Sequence, residues 1–140
     1  MCNNESKGCV CEVVKLINHI QRNRKKITTV VDGCDKPFLG NHPVENLTNT
    51  RPFILYTPEG RVWRAFYEHE GCVGRSAIFR VEKMEECCAT LRVLIPEEDG
   101  SLENQFRCKK FIATDSFITI NLDCCCAIQC LGDTFIDCLN

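Results

Sequence analysis

No apolar run in this chain approaches the roughly 20 residues of a bilayer-spanning helix. The opening Met1-Cys2-Asn3-Asn4-Glu5-Ser6-Lys7-Gly8 also lacks the basic and apolar segments of a secretory signal. No membrane insertion is expected, and synthesis in a cytosol is. Net charge is nearly absent: 17 Lys and Arg against 19 Asp and Glu leave a formal charge of −2 and a pI near 5.9. Such a chain has no field of either sign, which argues against a dedicated nucleic-acid or polybasic membrane binder and points to protein partners.

Catalytic and cofactor signatures are missing as well. There is no G-x-S-x-G, H-E-x-x-H, P-loop or dinucleotide fingerprint. A cysteine nucleophile needs a base and an orienting group, and the three histidines, His19, His42 and His69, fall on a helix, an irregular loop and a turn, with no signature beside them. Glu68-His69-Glu70 reads as an exposed turn. No catalytic residue, cofactor-binding residue or cofactor is therefore assigned, and an enzyme is the least favoured class. Internal repeats and low-complexity tracts are also absent.

What is abundant is cysteine, 13 in 140 residues, with four of them inside Cys124-Cys125-Cys126-Ala127-Ile128-Gln129-Cys130. The odd number means that pairing within one molecule leaves a sulfur free, metal-bound or available to another molecule. A chain of this length can build a core without staples. So dense a thiol content suits an oxidised product, whereas a cytosol keeps thiols reduced. Either the sulfurs bind metal or they oxidise after the protein leaves its compartment of synthesis.

Hydrophobic spacing predicts one amphipathic helix over about residues 10–24, carried by Val10, Val13, Val14, Ile17 and Ile20 and closed by Arg22, Arg24, Lys25 and Lys26. Short β-type runs follow at Ile27–Val31, Phe53–Thr57, Arg61–Tyr67, Ala77–Glu82, Ala89–Ile95, Phe106–Ala113 and Phe117–Leu122. Ala77, Phe79 and Val81 alternate with Ile78, Arg80 and Glu82, and Ala89, Leu91, Val93 and Ile95 with Thr90 and Arg92. Turn chemistry at Thr57-Pro58-Glu59-Gly60 and Pro96–Ser101 separates the runs. The expected fold is mainly β, an antiparallel β-sandwich of about seven to eight strands with one N-terminal helix. Residues 1–9 are expected to form a flexible cysteine-bearing arm, and 10–140 a single domain with the sandwich over about 27–138.

If the cluster continues the last strand, Cys124, Cys126 and Cys130 share one face and Cys125 takes the other. Residues two apart on a strand have Cα atoms roughly 6.6–6.8 Å apart, at the upper limit for a disulfide, so the cluster cannot easily pair with itself. Its partners are then cysteines such as Cys88 or Cys108, or those of another molecule, with Cys125 the preferred outward sulfur. Cys2, Cys9 and Cys11, on or beside the arm, could reach a neighbouring subunit. Two other readings stand beside this one. Several thiols, Cys88, Cys124 and Cys126 among them, could be buried small hydrophobes. Alternatively, structural zinc could organise the C-terminal cluster of a soluble interaction module, although no pair of C-x-x-C knuckles is present. Asn46-Leu47-Thr48 matches a glycosylation triplet but is read as a loop feature.

The stretch Asn121–Leu131, with its Cys-Cys-Cys-Ala-Ile-Gln-Cys core, resembles the C-terminal signature of the Bacillus spore coat protein Y/Z family, including its exosporium members. The resemblance extends upstream through Cys11–Val14, Pro37–Gly40, Asn49–Thr57, Ile78–Glu82 and Cys88–Leu91, and so covers nearly the whole chain. It implies a structural protein of the spore's outer layers, exosporium basal layer or outer coat, made in the mother-cell cytosol and deposited on the forespore. It further implies self-assembly as a homo-oligomer, a hexamer within a two-dimensional hexagonal lattice, alongside other spore coat and exosporium proteins. Disulfides would cross-link that protective permeability barrier. The family's cross-linking carries over to Cys11, Cys34, Cys72, Cys88, Cys108, Cys124, Cys126 and Cys130. Cys125, where the family usually has an aromatic residue, and Cys87, an extra sulfur before Cys88, depart from the pattern. With Cys2, Cys9 and Cys138, all thirteen cysteines are cross-linking candidates, and metal ligands are not assigned.

Overall fold

The computed structural model of the chain describes residues 8–23, 48–97, 111–137 and 139. Its elements are helix α1 (Cys9–Asn23) and strands β1 (Phe53–Tyr56), β2 (Ala65–His69), β3 (Cys72–Ser76), β4 (Ile78–Glu85), β5 (Cys88–Pro96), β6 (Phe111–Asn121) and β7 (Ala127–Cys130). A 3-10 turn, Leu122–Cys124, joins β6 to β7. Strands β6-β5-β4-β1-β7 form a five-stranded antiparallel sheet, and β2 and β3 a separate hairpin. The fold is thus mainly β with antiparallel pairing and an N-terminal helix, as expected. Among the described residues no helix is long and apolar enough to cross a membrane.

The core lies on one face of the sheet. Phe53 and Leu55 of β1, Phe79 and Val81 of β4, Ala89, Leu91 and Val93 of β5, and Ile120 of β6 meet Val10, Cys11, Val14 and Ile17 of α1. Full burial of each large apolar side chain contributes about 1.5–3 kcal/mol, which is why the helix stripe and the sheet alternation lock to each other. Gln21 is buried in this layer with both ends of its amide satisfied. Its Nε2 donates to the Val81 carbonyl (3.0 Å), and its Oε1 accepts from the Arg51 amide (3.0 Å).

The opposite face is polar and ion-paired. Glu82 takes Arg80 on one oxygen and Arg92 on the other, each at 2.8 Å. Arg92, a solvent-facing position by simple alternation, is buried, because its guanidinium also reaches the Thr114 and Leu139 carbonyls and lies 4.5 Å over the Phe117 ring. The C-terminal segment folds back along residues 49–51: Thr134 bridges Thr50, and Asn49 bonds both backbone groups of Ile136. Arg51 grips Asp133 through two nitrogens, at 2.8 and 3.1 Å.

Several boundaries differ from the sequence reading. The run expected over Arg61–Tyr67 becomes a strand only at Ala65, because Val62 and Trp63 are held against β1. Phe111–Ala113 and Phe117–Asn121 belong to one long strand. Cys72–Ser76 forms a strand where none was expected, and Glu68 and His69 lie on β2, leaving only Glu70 and Gly71 as the turn. The run Ile27–Val31, the Phe106–Lys110 part of its run and residues 1–7 of the arm lie outside the described residues.

Candidate cross-linking site

The cysteine cluster does not continue β6. The Asn121 side-chain oxygen accepts the Asp123 amide (3.0 Å), a local bond that turns the chain. Cys125 N then closes onto the Leu122 carbonyl (3.1 Å), and Cys126 N donates to the Tyr56 carbonyl (2.8 Å). From there β7 pairs with β1, from Tyr56↔Ala127 to Phe53↔Cys130. The expected two-faced strand of cysteines is therefore replaced by a turn followed by a short strand in a different place in the sheet.

This turn draws other cysteines to the same end of the molecule. Leu122 N donates to the Cys87 carbonyl (2.8 Å), and Cys88 stands in register with Asn121. The start of α1 lies over the turn: a Cβ built on Gly8 would come 3.9 Å from Asp123 Oδ1. That buried oxygen has no hydrogen-bond partner among the described residues, and a carboxylate suits the positive end of a helix. Cys11, fully buried on α1, is joined to Cys87 by a disulfide (S–S 2.05 Å) that ties the helix to the β4–β5 turn. Cys9, Cys11, Cys87, Cys88, Cys124, Cys125 and Cys126 thus gather at one pole.

The sulfurs there differ in availability. Cys11, Cys87, Cys124 and Cys130 are disulfide-bonded. Cys9, Cys88 and Cys126 are free and exposed, so the buried-hydrophobe reading fails for Cys88 and Cys126. Cys125, expected to point outward, is half-buried against the core, and burial pushes its thiol up to about 11. The 3-10 turn reverses the expected facing, so that Cys126 is the cluster's outward sulfur. Cys2, Cys34, Cys108 and Cys138 lie outside the described residues.

A further exposed free thiol, Cys72, stands on the β2–β3 hairpin. Glu70 (φ 50°) and Gly71 (φ 81°) form a two-residue turn of the type that matches strand twist, and Cys72 is in register with His69 across it. His69 Nε2 is 3.8 Å from a Glu70 carboxylate oxygen. Read as part of an exposed turn, His69 has no cysteine partner in the sequence pattern. The glycine between two alternating segments, Phe66–His69 and Cys72–Ser76, was the available signal of a hairpin. Among the described residues no three His, Cys, Asp or Glu side chains stand together as metal ligands.

Comparison with known proteins points to the same family as the sequence resemblance. The family model described as spore coat protein Z matches residues 1–133. Spore coat protein Z of Bacillus subtilis (strain 168) is 28% identical over 145 aligned residues, covering 95% of this chain and 95% of that protein. No solved structure matches.

Proposed function

The chain belongs to the spore coat protein Z family, and on that premise we propose that it is a structural, non-catalytic component of the spore's outer layers that assembles into a disulfide-cross-linked sheet. The observation that carries this reading is the distribution of its sulfurs. The Cys11–Cys87 disulfide already ties the helix to the sheet within the subunit, and Cys124 and Cys130 are also disulfide-bonded. Meanwhile Cys9, Cys88 and Cys126 at the pole and Cys72 on the hairpin remain free and exposed. Thiols left outward on two separate parts of one surface can join each subunit to more than one neighbour, which is what a sheet needs and a closed pair does not.

Assembly begins with noncovalent contacts between folded domains, and oxidation then locks them. A disulfide typically contributes about 2–4 kcal/mol, but a subunit bonded to several neighbours leaves only when all its links break together. The product is a resistant permeability barrier with hexagonal order, built from this chain and other coat proteins. Its synthesis in the mother-cell cytosol precedes oxidation, reconciling the thiol content with the compartment.

The test is electron microscopy and non-reducing gel electrophoresis of the purified full chain under oxidising conditions. Ordered sheets with covalent multimers are expected from the wild type. Replacing Cys9, Cys72, Cys88 and Cys126 by serine should give arrays that dissolve on boiling. A wild-type protein that stays monomeric at high concentration with oxidant present refutes the reading.

A further inference from the structure

We propose that Cys72 is the sulfur that opens cross-linking by attacking a disulfide carried by a second copy of this chain, and that His69 across the hairpin takes its proton. The inference rests on the disulfide-cross-linked reading above and names the first-reacting residue within it.

Register brings the pair together. Ala65, Tyr67 and His69 share one face of β2 with Ser76, Gly74 and Cys72 of β3, while Phe66, Glu68, Val73 and Arg75 share the other. Directly opposed residues have Cβ atoms about 4.5–5.5 Å apart, which puts imidazole and thiol within side-chain reach. The two-residue turn has no slack, so this register is held. Gly74 fixes it further, since the Tyr67 ring occupies the space a side chain at 74 would need. The His69 side chain is only 28% exposed, while Cys72 is open to solvent. The sulfur is thus accessible and the base sheltered.

A Glu70 carboxylate oxygen lies 3.8 Å from His69 Nε2. The other charged neighbours on the hairpin, Glu68 and Arg75, lie on its opposite face. From β6, Ser116 Oγ accepts the Glu68 amide, and the adjacent Asp115 carboxylate pairs with Arg92 at 3.6 Å.

None of the other exposed free thiols has this arrangement among the described residues. Cys88 faces Glu85 and Asn121, Cys9 begins α1, and Cys126 is followed by β7. The ring of His19, the other described histidine, lies 3.0 Å from the Asn23 side-chain nitrogen on its own helix.

In the step itself, the Cys72 proton passes to the imidazole and the thiolate attacks one sulfur of the partner disulfide. The old S–S bond breaks as the new one forms, and the displaced thiolate recovers the proton from the imidazolium. One disulfide is consumed and one formed, so no external oxidant is needed.

The test uses the dispersed full chain with dithiobis(nitrobenzoate) as the disulfide, and mass spectrometry to assign the modified thiol. Near neutral pH, Cys72 should react faster than Cys9, Cys88 and Cys126, and Cys72→Ser should abolish the fast phase. His69→Gln should slow Cys72 by about tenfold or more near neutral pH, with the difference narrowing in strongly alkaline solution, where hydroxide can take the proton in place of the imidazole. His69→Phe should behave as His69→Gln does. Cys72 reacting no faster than the other exposed thiols overturns the proposal. So does a His69→Gln rate that is unchanged, or reduced equally at every pH. The reagent acts on separate subunits, so a fast Cys72 in a protein that never forms sheets refutes the assembly reading alone. A slow Cys72 in a protein that does form them refutes this one alone.

Discussion

Removing the Cys11–Cys87 disulfide should cost this domain much of its stability, and the size of the loss follows from the structure. The bond links residues 76 apart in sequence. Closing a loop of that length takes about 4.5 kcal/mol of conformational entropy from the unfolded chain on the chain-entropy relation. Disulfides at Cys124 and Cys130 already restrict that chain, so the expected loss is about 2–4 kcal/mol, or roughly 6–15 °C in Tm. The two ends are not equivalent. Cys11 is fully buried between helix and sheet, whereas Cys87 is half-buried. Cys87→Ala leaves a buried thiol, which a core tolerates as a small hydrophobe. Cys11→Ser buries a hydroxyl and adds about 1–3 kcal/mol. Differential scanning calorimetry of dispersed, unreduced protein should therefore rank wild type above Cys87→Ala, and Cys87→Ala above Cys11→Ser. Coincident melting of wild type and Cys87→Ala would refute the reasoning, as would peptide maps of dissociated subunits that join Cys11 to any sulfur other than Cys87.

Time-resolved alkylation near neutral pH should label Cys126 well before Cys125. The Cys125 thiol, raised to about 11, stays protonated and unreactive until the pH approaches that value. Gly74→Ala should loosen the hairpin by about 1–3 kcal/mol, because the new Cβ would meet Tyr67 Oη at 2.6 Å and Cζ at 2.8 Å. Hydrogen exchange at the β2–β3 amides would report it, with the five-stranded sheet less affected. Arg51→Ala should destabilise by about 3–5 kcal/mol, measured by denaturant titration, since it withdraws a two-point guanidinium contact from a carboxylate whose side chain is only 10% exposed.

Much of the sheet was legible because its inner face obeys strict alternation. Phe79 and Val81, then Ala89, Leu91 and Val93, are buried as the period of two requires, and Val10, Val14 and Ile17 mark the helix. The period fails where a second layer covers the strand: Arg92 and Leu94 are both buried, and the β5–β6 register shifts between them. The hairpin was hidden by its own exposure, since Phe66 and Val73 face solvent and interrupt any apolar pattern. Of the cysteine cluster only Ala127–Cys130 is strand, and periodicity carries no sign of the single side-chain bond from Asn121 that turns the chain. The Cys11–Cys87 pairing joins segments far apart in sequence, and spacing alone cannot choose among partners.

The position of β7 determines when the thiols first meet. Strand β1 lies between β4 and β7, so the five-stranded sheet remains incomplete until Ala127–Cys130 are available. Contacts of such long sequence separation form late, and a chain made on the ribosome offers β7 only after the six strands that precede it. Cys124, Cys125 and Cys126 therefore join Cys9, Cys11, Cys87 and Cys88 only after all six earlier strands have been made. Order of synthesis acts as a timer: the pole becomes a concentrated patch of sulfur only once β7 has been made and has paired with β1.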